Sequence, residues 1–555
     1  MSPPAARRAS GGDILVALLE EHGVECAFGV VSVHNLPLVE AIERRLRFVP
    51  VRHEAAAVNA ADGYARAGGA FGVAITSTGT GAGNAAGSLV EALTAGSRVL
   101  HVTGQIESEF LGAGRGVIHE VPRQPQMLAA VSRFTATVRR ARDARRVLRE
   151  AIDDLLTAPY APASVEWPID LQYAASPADQ DGGAPPSASP GPAPVRDGAA
   201  LARAARLLTA AERPLIWAGG GARSAGPALG ELAERLGAGL LTSNAGRGTV
   251  PEDHELVLGN FAARPELAPL IADADLLLSI GTHFRSNETR HYGLEPPRTH
   301  VQIDLDPAAI GRVYPVTEGI AAEAAEALPA LLAALGPPVA DPAWRRRVID
   351  TRARARRALG EEIGAYREVC ASLRARLPRA SVVARDVTIP SSSWGNRLLE
   401  IYDSRTNIFP LGGGIGQGLA MGIGAALARP DAPTAVLAGD GGLAVHLGEL
   451  ATLAEAAPWC VLIVFNDGGY GVLRNMQDEH VGRRSGVDLL TPDFALLAAS
   501  VGLPYELALS AAQFDAALEK ALALRAPFVL EVDVTALSPA PRPFVPPVHV
   551  PHTTE

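Results

Sequence analysis

The pattern of apolar and polar positions predicts repeated strand and helix units along most of the chain. Short apolar runs lie at Val73–Ser77, Val99–Thr103, Ser164–Glu166, Asp275–Ile280 and His300–Asp304. Continuous runs of this length are typical of strands in parallel sheets that are buried on both faces. Because helical stretches separate them, the pattern predicts an α/β protein with three doubly wound, parallel-sheet domains.

The composition of the connecting segments predicts where these domains begin and end. Residues 175–198 are almost entirely Ala, Pro, Ser, Gly and Asp without periodicity, which is typical of a surface linker. The Arg-rich stretch Trp344–Arg357 indicates a solvated linking helix. The predicted order is a disordered tail (1–11), a first domain (12–174), the linker (175–198), a central domain (199–336), the linking helix (337–368), a third domain (369–536) and a C-terminal tail (537–555).

One strand–loop–helix–strand unit near the C-terminus carries a candidate metal site. An apolar run, Ala435–Ala438, stops at the glycine-rich turn Gly439–Gly442, which contains Asp440. Leucines at helical spacing follow (Leu443, Leu447, Leu450 and Leu453), and a second strand, Val461–Phe465, ends at Asn466. In a βαβ unit both polar residues fall at carboxyl ends of parallel strands, where ligands bind. Their oxygens suit Mg²⁺ bridging a diphosphate, whereas the alternative is an ordinary crossover with a glycine-rich turn.

The Gly-Asp-Gly turn followed by a distant Asn resembles the signature of thiamine diphosphate enzymes. The resemblance implies that Asp440, Asn466 and the carbonyl of Gly468 hold Mg²⁺. The family usually has a second Asn where this chain has Asp467. Further residues of the two loops would contact the cofactor: Gly439, Gly441, Gly442, Tyr470, Gly471 and Val472.

A second motif, far away in sequence, resembles the pyrimidine-binding half of the same enzymes. Residues Val49–Glu54 are predicted as a strand, followed by a helix through AAAVNAADGYARA. The resemblance implies that Glu54 hydrogen-bonds the pyrimidine N1′ and thereby activates the cofactor. Apolar burial would raise the pKa of such a carboxyl group and favour this role. The alternatives are a solvated acid at a helix start for Glu54 and simple packing for His53.

Shorter stretches extend the resemblance from about Gly12 to Val534, in the order pyrimidine, central and diphosphate domains. The turn from Ser77 to Asn84 is similar to the family's glycine-rich turn, and both end residues would contact the cofactor. Gly414 and Ile415 match the loop that supports the bent cofactor. The order is that of the acetolactate synthase, benzoylformate decarboxylase and pyruvate decarboxylase superfamily. It implies a homodimer or homotetramer, with Glu54 of one chain facing Asp440 and Asn466 of another.

The resemblance implies a lyase or carboligase that decarboxylates a 2-oxo acid. The positions of the two pocket histidines of benzoylformate decarboxylase align with Ser77 and Asn287. Val33 lies where that enzyme has a pocket Ser, so this wall of the substrate pocket is expected to be more apolar. The remaining catalytic candidates near the substrate are His34, Gln105 and His119, with His283 as a further candidate. Without the two relay histidines, the enamine that remains after loss of CO₂ is protonated slowly. Slow protonation favours capture of this enamine by an acceptor aldehyde or ketone. Ligated hydroxyketone is therefore predicted to exceed free aldehyde.

Three alternatives to a carboligase stay open: a simple 2-oxo acid decarboxylase, an FAD-dependent oxidase and a catalytically idle thiamine-binding homologue. The turn Gly219–Gly221, with Asp304 or Asp306 as a ribose ligand, could open a dinucleotide site in the central domain. The turn lacks the full G-x-G-x-x-G spacing, so the pattern does not favour FAD.

Composition is typical of a cytoplasmic enzyme. The net charge of −10 and the interspersed arginines argue against nucleic acid as a partner. The N-terminus lacks the apolar segment of a signal peptide, and no apolar run approaches a membrane span. Cys26, Cys370 and Cys460 are widely separated, which indicates buried thiols.

Overall fold

Three sheets of six strands each follow one another along the chain in a computed structural model that describes residues 9–174, 197–337 and 341–546. Every pairing between neighbouring strands of these sheets is parallel. The structure therefore confirms the predicted α/β class with three parallel sheets. Within the described ranges, no helix is both long and apolar enough to cross a membrane.

The N-terminal sheet is covered by helices on both faces. Its strands are β1 (Cys26–Gly29), β2 (Arg47–Pro50), β3 (Gly72–Thr76), β4 (Val99–Gln105), β5 (Phe134–Thr137) and β6 (Ala163–Pro168), in the order β2-β1-β3-β4-β6-β5. Its helices are α1 (Gly11–Glu21), α2 (Leu36–Arg45), α3 (Glu54–Ala67), α4 (Thr80–Ala95), α5 (Gln124–Val131), α6 (Ala144–Leu156) and α7 (Ile169–Tyr173). Val73 and Ile75 pack in one apolar core with α1 and α6, whereas Ala74 packs in another with α3 and α4. This alternation is that of a doubly wound sheet.

The central sheet has the strand order β12-β11-β10-β7-β8-β9. Its strands are β7 (Pro214–Ala218), β8 (Gly239–Thr242), β9 (Val257–Gly259), β10 (Leu276–Ile280), β11 (Thr299–Asp304) and β12 (Glu318–Ala321). Its helices are α8 (Gly198–Ala210), α9 (Gly226–Leu236), α10 (Ala268–Asp273) and α11 (Ala324–Ala334). Two long helices, α12 (Pro342–Glu362) and α13 (Tyr366–Arg376), lead to the third sheet.

The C-terminal sheet has the strand order β14-β13-β15-β16-β18-β17. Its strands are β13 (Val382–Arg385), β14 (Asn407–Ile408), β15 (Thr434–Gly439), β16 (Cys460–Asn466), β17 (Tyr505–Ala508) and β18 (Phe528–Asp533). Its helices are α14 (Gly418–Ala428), α15 (Asp440–Leu443), α16 (Glu449–Ala456), α17 (Gly471–His480), α18 (Phe494–Ser500) and α19 (Ala511–Leu524).

Helices α3 and α14 lie between the N-terminal and C-terminal sheets and share one apolar core with both. Their backbones touch, because a Cβ on Gly63 would lie 2.0 Å from the carbonyl oxygen of Met421. In the same way, a Cβ on Gly424 would lie 1.9 Å from the carbonyl oxygen of Ala60. This close crossing fixes the first residue of α3, Glu54, relative to the third sheet.

The structure differs from the sequence predictions in the local path of two segments. The strand predicted over Val49–Glu54 ends at Pro50 as β2, and Glu54 is the first residue of α3. The helix predicted from the leucine spacing is divided into α15, a 3₁₀ turn at Ala444–His446 and α16. Gly448, the residue before α16, separates the last two pieces, and glycine is a poor helix former.

The Arg-rich linking helix is not simply solvated. In α12, Trp344, Val348, Ala355 and Leu359 are buried in a core that includes residues of the central and C-terminal sheets. This spacing gives one apolar stripe, which the many arginines conceal in the sequence. The predicted boundary between residues 368 and 369 falls within α13.

The predicted terminal segments and linker lie partly outside the described residues. Of the tail predicted over 1–11, Ser10 caps α1 and Gly11 opens it, so these residues are ordered. The linker predicted over 175–198 is described only at its last two residues, where Gly198 begins α8. In the segment predicted as a C-terminal tail, the carbonyl of Phe544 accepts a hydrogen bond from Asn475. Cys26, Cys370 and Cys460 are buried free thiols.

Candidate active site

The candidate diphosphate site lies at the carboxyl ends of β15 and β16. The two strands pair in parallel, with Gly439 opposite Phe465, so the loops that follow them are neighbours. Asp440 is the first residue after β15, and only 1% of its surface is exposed. Its Oδ1 accepts a hydrogen bond of 3.3 Å from the backbone N–H of Asp467, whereas its Oδ2 has no partner. Burial raises the pKa of this carboxyl group.

The other two predicted metal ligands already have partners. The side-chain amide of Asn466 donates to Glu531 at 2.8 Å, and its Oδ1 lies 3.3 Å from the backbone N–H of Gly468. The carbonyl of Gly468 accepts hydrogen bonds of 3.0 Å from Leu489 and from Arg474. The bond to Glu531 uses the N–H₂ group of Asn466 and not its Oδ1, so the roles of Asn466 and Gly468 as metal ligands stay predictions.

Asp467, which the family resemblance marked only as a departure, lies at the same edge as Asp440. Its Oδ1 has no hydrogen-bond partner, and the nearest cation, Arg474, forms a long ion pair of 3.7 Å with that atom. Burial and, next, the charge of Asp440 raise the pKa of Asp467 to about 6. Two carboxyl groups with unpartnered oxygens therefore meet where one carboxylate and one amide were predicted.

Glycines and a helix start complete this edge. A Cβ on Gly441 would lie 2.6 Å from the carbonyl oxygen of Gly469 and 2.8 Å from the Tyr470 ring, so only glycine permits this approach. Gly471 and Val472 form the first turn of α17, whose N–H groups can face a phosphate. Gly439 and Gly442 flank the same turn. The predicted diphosphate contacts are thus brought together.

The candidate pyrimidine site lies at the N-terminus of α3. His53 precedes this helix, and its Nδ1 accepts a hydrogen bond of 3.1 Å from the N–H of Ala55. The Glu54 carboxylate accepts a hydrogen bond of 3.0 Å from the side chain of Asn84 and lies close to Gly81. Ser77, on the same turn, is buried and its hydroxyl group has no partner. Glu54 is half-buried, so one chain alone does not supply the apolar burial expected for it.

The loop Gly412–Gly416, which includes Gly414, is held by two carboxylates that sequence reasoning missed. Glu91 of α4 accepts the N–H of Leu411 at 2.6 Å and also that of Gly412. Asp386 accepts the N–H groups of Gly416 and Gly418, each at 3.1 Å. Between these anchors Ile415 is 38% exposed, so its side chain is free to contact a cofactor or a second chain.

The structure brings His34 and His119 together, 85 positions apart in the sequence. Their ring centroids are 5.3 Å apart, in an edge-to-face arrangement. His34 is 4% exposed, and neither of its ring nitrogens has a hydrogen-bond partner. Burial and, next, His119 lower the pKa of His34. The ring of His34 is therefore neutral at pH 7.

The histidine pair is close to the candidate pyrimidine site. A Cβ on Gly79 would lie 2.5 Å from the carbonyl of His119, while one on Gly81 would lie 3.1 Å from a Glu54 oxygen. A single turn at the start of α4 thus contacts both groups. His119 has a φ of 67°, a left-handed conformation that is uncommon outside glycine and that the sequence did not indicate.

Gln105 is fixed by a buried network. Its Oε1 accepts from Thr78 at 3.0 Å and from the N–H of Ile106 at 2.8 Å, and its Nε2 donates to Glu166 at 3.2 Å. Gln124 also donates to Glu166, at 2.7 Å, and accepts from the N–H of Gly79. Since one N–H of Gln105 remains, its predicted contact with a substrate carbonyl or water stays a prediction.

Three family models match the chain. They are the thiamine pyrophosphate enzyme N-terminal TPP binding domain over residues 9–127, the central domain over 201–331 and the C-terminal TPP binding domain over 390–532. The chain belongs to the thiamine pyrophosphate enzymes. The matches follow the order of the three sheets and confirm the resemblance found in the sequence.

The names of three relatives of this thiamine pyrophosphate enzyme refer to different reactions. A probable 2-ketoarginine decarboxylase of Pseudomonas aeruginosa is 34% identical over 510 residues, covering 89% of this chain and 88% of the relative. A probable acetolactate synthase large subunit of Methanocaldococcus jannaschii is 28% identical, covering 97% and 93% respectively. A pyruvate oxidase of Lactiplantibacillus plantarum is also 28% identical, covering 96% and 89%.

The central domain of this thiamine pyrophosphate enzyme borders a cavity of about 1120 Å³. Gly220, Gly221, His283 and Asp304 are among its lining residues. Asp304 Oδ2 has no partner, whereas Asp306 caps a 3₁₀ turn by accepting the N–H of Ala308. Of the two predicted ribose ligands, Asp304 is the one among the lining residues of the cavity.

Proposed function

We propose that the chain is a thiamine diphosphate- and Mg²⁺-dependent 2-oxo acid decarboxylase that releases an aldehyde. The observation that carries this proposal is the contact of the buried His34 with the exposed His119, with ring centroids 5.3 Å apart. The prediction of ligation rested on the absence of paired histidines, and this pair supplies the missing proton relay. The relative named a decarboxylase supports the same outcome.

The residues present fit the cofactor. Unpartnered carboxylate oxygens on Asp440 and Asp467 suit a divalent cation, and the first turn of α17 suits the diphosphate. Ser77 has a free hydroxyl group beside Glu54, where a pyrimidine ring would lie. When bound, the cofactor supplies an electron sink for the pair of electrons left by CO₂.

The protein's own groups then hold and move protons. The Glu54 carboxyl group, oriented by the hydrogen bond from Asn84, would share a proton with the pyrimidine N1′ of the bound cofactor. His34 and His119 would donate a proton to the carbon that has lost CO₂ and would accept the proton of the neighbouring hydroxyl group as the aldehyde leaves. The neutral ring of His34 has both a donor and an acceptor nitrogen, as a relay requires.

Carboligation is the second candidate. Val33 is 60% exposed and Ile118 is 68% exposed, so the mouth of the site is apolar enough to hold an acceptor carbonyl compound. Relatives named acetolactate synthase support this outcome. Capture by the acceptor would then compete with protonation by the histidines.

A panel of 2-oxo acids tests the proposal. Pyruvate, benzoylformate and 2-ketoarginine would each be supplied with thiamine diphosphate and Mg²⁺, with and without an acceptor aldehyde. Mass spectrometry would measure CO₂, aldehyde and hydroxyketone. We expect aldehyde to exceed hydroxyketone even at saturating acceptor. Dominant hydroxyketone would establish the carboligase instead, and the absence of CO₂ with every acid would contradict both.

We also propose a homodimer or homotetramer in the cytoplasm, with active sites between chains. Ile415, Val445 and Leu473 are 38%, 48% and 48% exposed around the cofactor loops, which is typical of a surface covered by a partner. Co-expression of Glu54→Gln and Asp440→Ala chains tests this arrangement. If sites form between chains, mixed oligomers contain one intact site and regain activity that neither variant has alone.

A further inference from the structure

The loop Gly412–Gly416 (the cofactor loop) is held at its two ends by different domains. At the far end, the last N–H of the loop binds Asp386 at 3.1 Å, and the last carbonyl oxygen lies 2.9 Å from Nδ1 of His446. Both partners belong to the C-terminal domain. The near end is instead bound by Glu91, which lies on α4 of the N-terminal domain. The position of Ile415, between these two ends, therefore depends on a side chain from another domain.

Glu91 is fitted closely to the near end of the cofactor loop. Its carboxylate oxygens accept the N–H of Leu411 at 2.6 Å and that of Gly412. A Cβ on Gly412 would lie 2.7 Å from Oε2 of Glu91, so a larger residue there would displace the carboxylate. Arg285 of the central domain donates to the carbonyl of Leu411. Because Glu91 is only 2% exposed, its carboxylate and not water satisfies these two N–H groups.

The charges that face Glu91 come from α3. Nη1 of Arg66 lies 3.6 Å from Oε1 of Glu91 and 3.3 Å from Oδ2 of Asp62, and all three residues are at most 6% exposed. Nη2 of Arg66 donates to the carbonyl of Phe409, just before the cofactor loop. The charges of Arg66 and Asp62 also act on Arg223 of the central domain. Burial, partly offset by Arg66, raises the pKa of Glu91 to about 7.

We propose that Glu91 is a positioning residue whose charged form holds the near end of the cofactor loop, and thereby Ile415, in the place that favours binding of thiamine diphosphate. This inference rests on the proposed cofactor chemistry and holds whichever product the enzyme releases. A carboxylate offers an acceptor oxygen to each N–H group, whereas a protonated carboxyl group has a hydroxyl group in place of one of them. Protonation of Glu91 therefore loosens one of the two bonds, and cofactor affinity falls as the pH falls through about 7.

Isothermal titration calorimetry with thiamine diphosphate and Mg²⁺ tests the proposal without measuring turnover. The full-length protein would be titrated at about pH 8 and at about pH 6, roughly one unit on either side of the pKa of Glu91. Glu91→Gln keeps the shape of the side chain but supplies one acceptor oxygen at every pH. We expect this variant to bind about tenfold more weakly than wild type at the higher pH, and within about twofold of wild type at the lower pH.

Glu288→Gln is the matched control. Glu288 is also a buried carboxyl group whose pKa is raised by burial, and it accepts the N–H of Asn244 at 2.6 Å within the central domain. The affinity of this variant should follow that of wild type at both pH values. The control is needed because the pKa values of Asp386 and Asp467 are also raised, each to about 6, so several groups affect wild-type binding.

Two further variants separate the charge of Glu91 from its place in the fold. Glu91→Asp keeps the charge on a shorter side chain, so its cofactor affinity should still depend on pH. In a double-mutant cycle, Glu91→Gln should lower the affinity little further once Ile415→Ala has removed the side chain through which it acts. Thermal unfolding would show whether each variant is folded.

The outcomes separate this inference from the proposed function. If the affinity of Glu91→Gln fell with pH as steeply as that of wild type, or if Glu91→Asp lost the pH dependence, the role of the charge would be overturned. Additive losses in the double variant would overturn the route through the cofactor loop. If the wild-type protein bound no thiamine diphosphate at either pH, the proposed cofactor chemistry itself would fail.

Discussion

The two ends of the candidate cofactor site are built differently. At the diphosphate end, Asp440 is 1% exposed and accepts a hydrogen bond from the backbone N–H of Asp467. At the pyrimidine end, Glu54 is half-buried and Ile415 is 38% exposed. One chain therefore encloses the charged end by itself, whereas it leaves the apolar end partly exposed, in keeping with the proposed dimer. Anchoring a metal requires fixed oxygens, while enclosing a ring requires a surface that a second chain can close.

The largest expected effect comes from removing the fixed charge. Asp440→Ala takes away a carboxylate that faces the metal, so Mg²⁺-dependent binding of thiamine diphosphate should be abolished while the fold is kept. Isothermal titration calorimetry measures the affinity, and the exposed Asp431→Ala on the same domain is the control. Unchanged affinity in Asp440→Ala would remove the diphosphate end from its proposed place.

The next effect separates binding from activation at the pyrimidine end. Glu54→Gln should keep cofactor affinity within about tenfold, since an amide still reaches N1′. The rate of exchange of the cofactor C2 proton should fall by a factor near the upper end of the ~10²–10⁴-fold that general acid–base catalysis contributes. NMR in deuterated water follows this exchange, with the exposed Glu43→Gln as control. Exchange at the wild-type rate would exclude Glu54.

Replacing the histidine pair should change the product more than the binding. His34→Ala and His119→Ala should each slow aldehyde release by about 10²-fold and raise the share of hydroxyketone. If the rings act together, the double variant will lose little more than either single variant. Additive losses would show that the two histidines act separately.

The same pair predicts a dependence on pH. Because the pKa of His34 is lowered, its neutral form persists below pH 6.5 in the folded protein. The unfolded chain binds this proton more readily, so the stability that the neutral ring contributes is present above pH 6.5 and is lost as pH falls through the lowered value. Thermal unfolding of wild type and His34→Ala, measured between neutral and acidic pH, would show a smaller acid loss in the variant.

The smallest effect is expected at Ile415. Ile415→Ala removes part of an apolar support, so cofactor affinity should fall about tenfold, equivalent to ~1–2 kcal/mol of lost burial. The charged end should be unaffected, so the Mg²⁺ concentration that half-saturates cofactor binding should stay at the wild-type value. A large rise of that concentration in this variant would mean that the two ends are not independent.

The sequence could predict that Asp440 and Asn466 lie at the same edge of a sheet, because consecutive parallel strands end at that edge. Apolar runs before Asp440 and Asn466 identify parallel strands, and their carboxyl ends must meet. Spacing could not tell that Asn466 would bind Glu531 of β18, or that the backbone N–H of Asp467 would bind Asp440. Both contacts join residues that are distant in sequence.

The supporting carboxylates and the histidine pair could not be predicted from motifs. Glu91, Glu166 and Asp386 act through buried hydrogen bonds to residues distant in sequence, and no local pattern identifies such partners. His119, whose backbone is left-handed and packs on Gly79, meets His34 across 85 positions of sequence. Long-range packing decides both features.

The crossing of α3 and α14 bears on how this enzyme can be varied by recombination. Gly63 and Gly424 each lie against a carbonyl of the opposite helix, so a side chain at either position would push the two helices apart. Exchanging the first or third segment for that of a distant relative would join helices that were never fitted to each other. The two outer segments are therefore inherited best as a pair, and chimeras that keep both should tolerate a foreign central segment more readily than those that divide them.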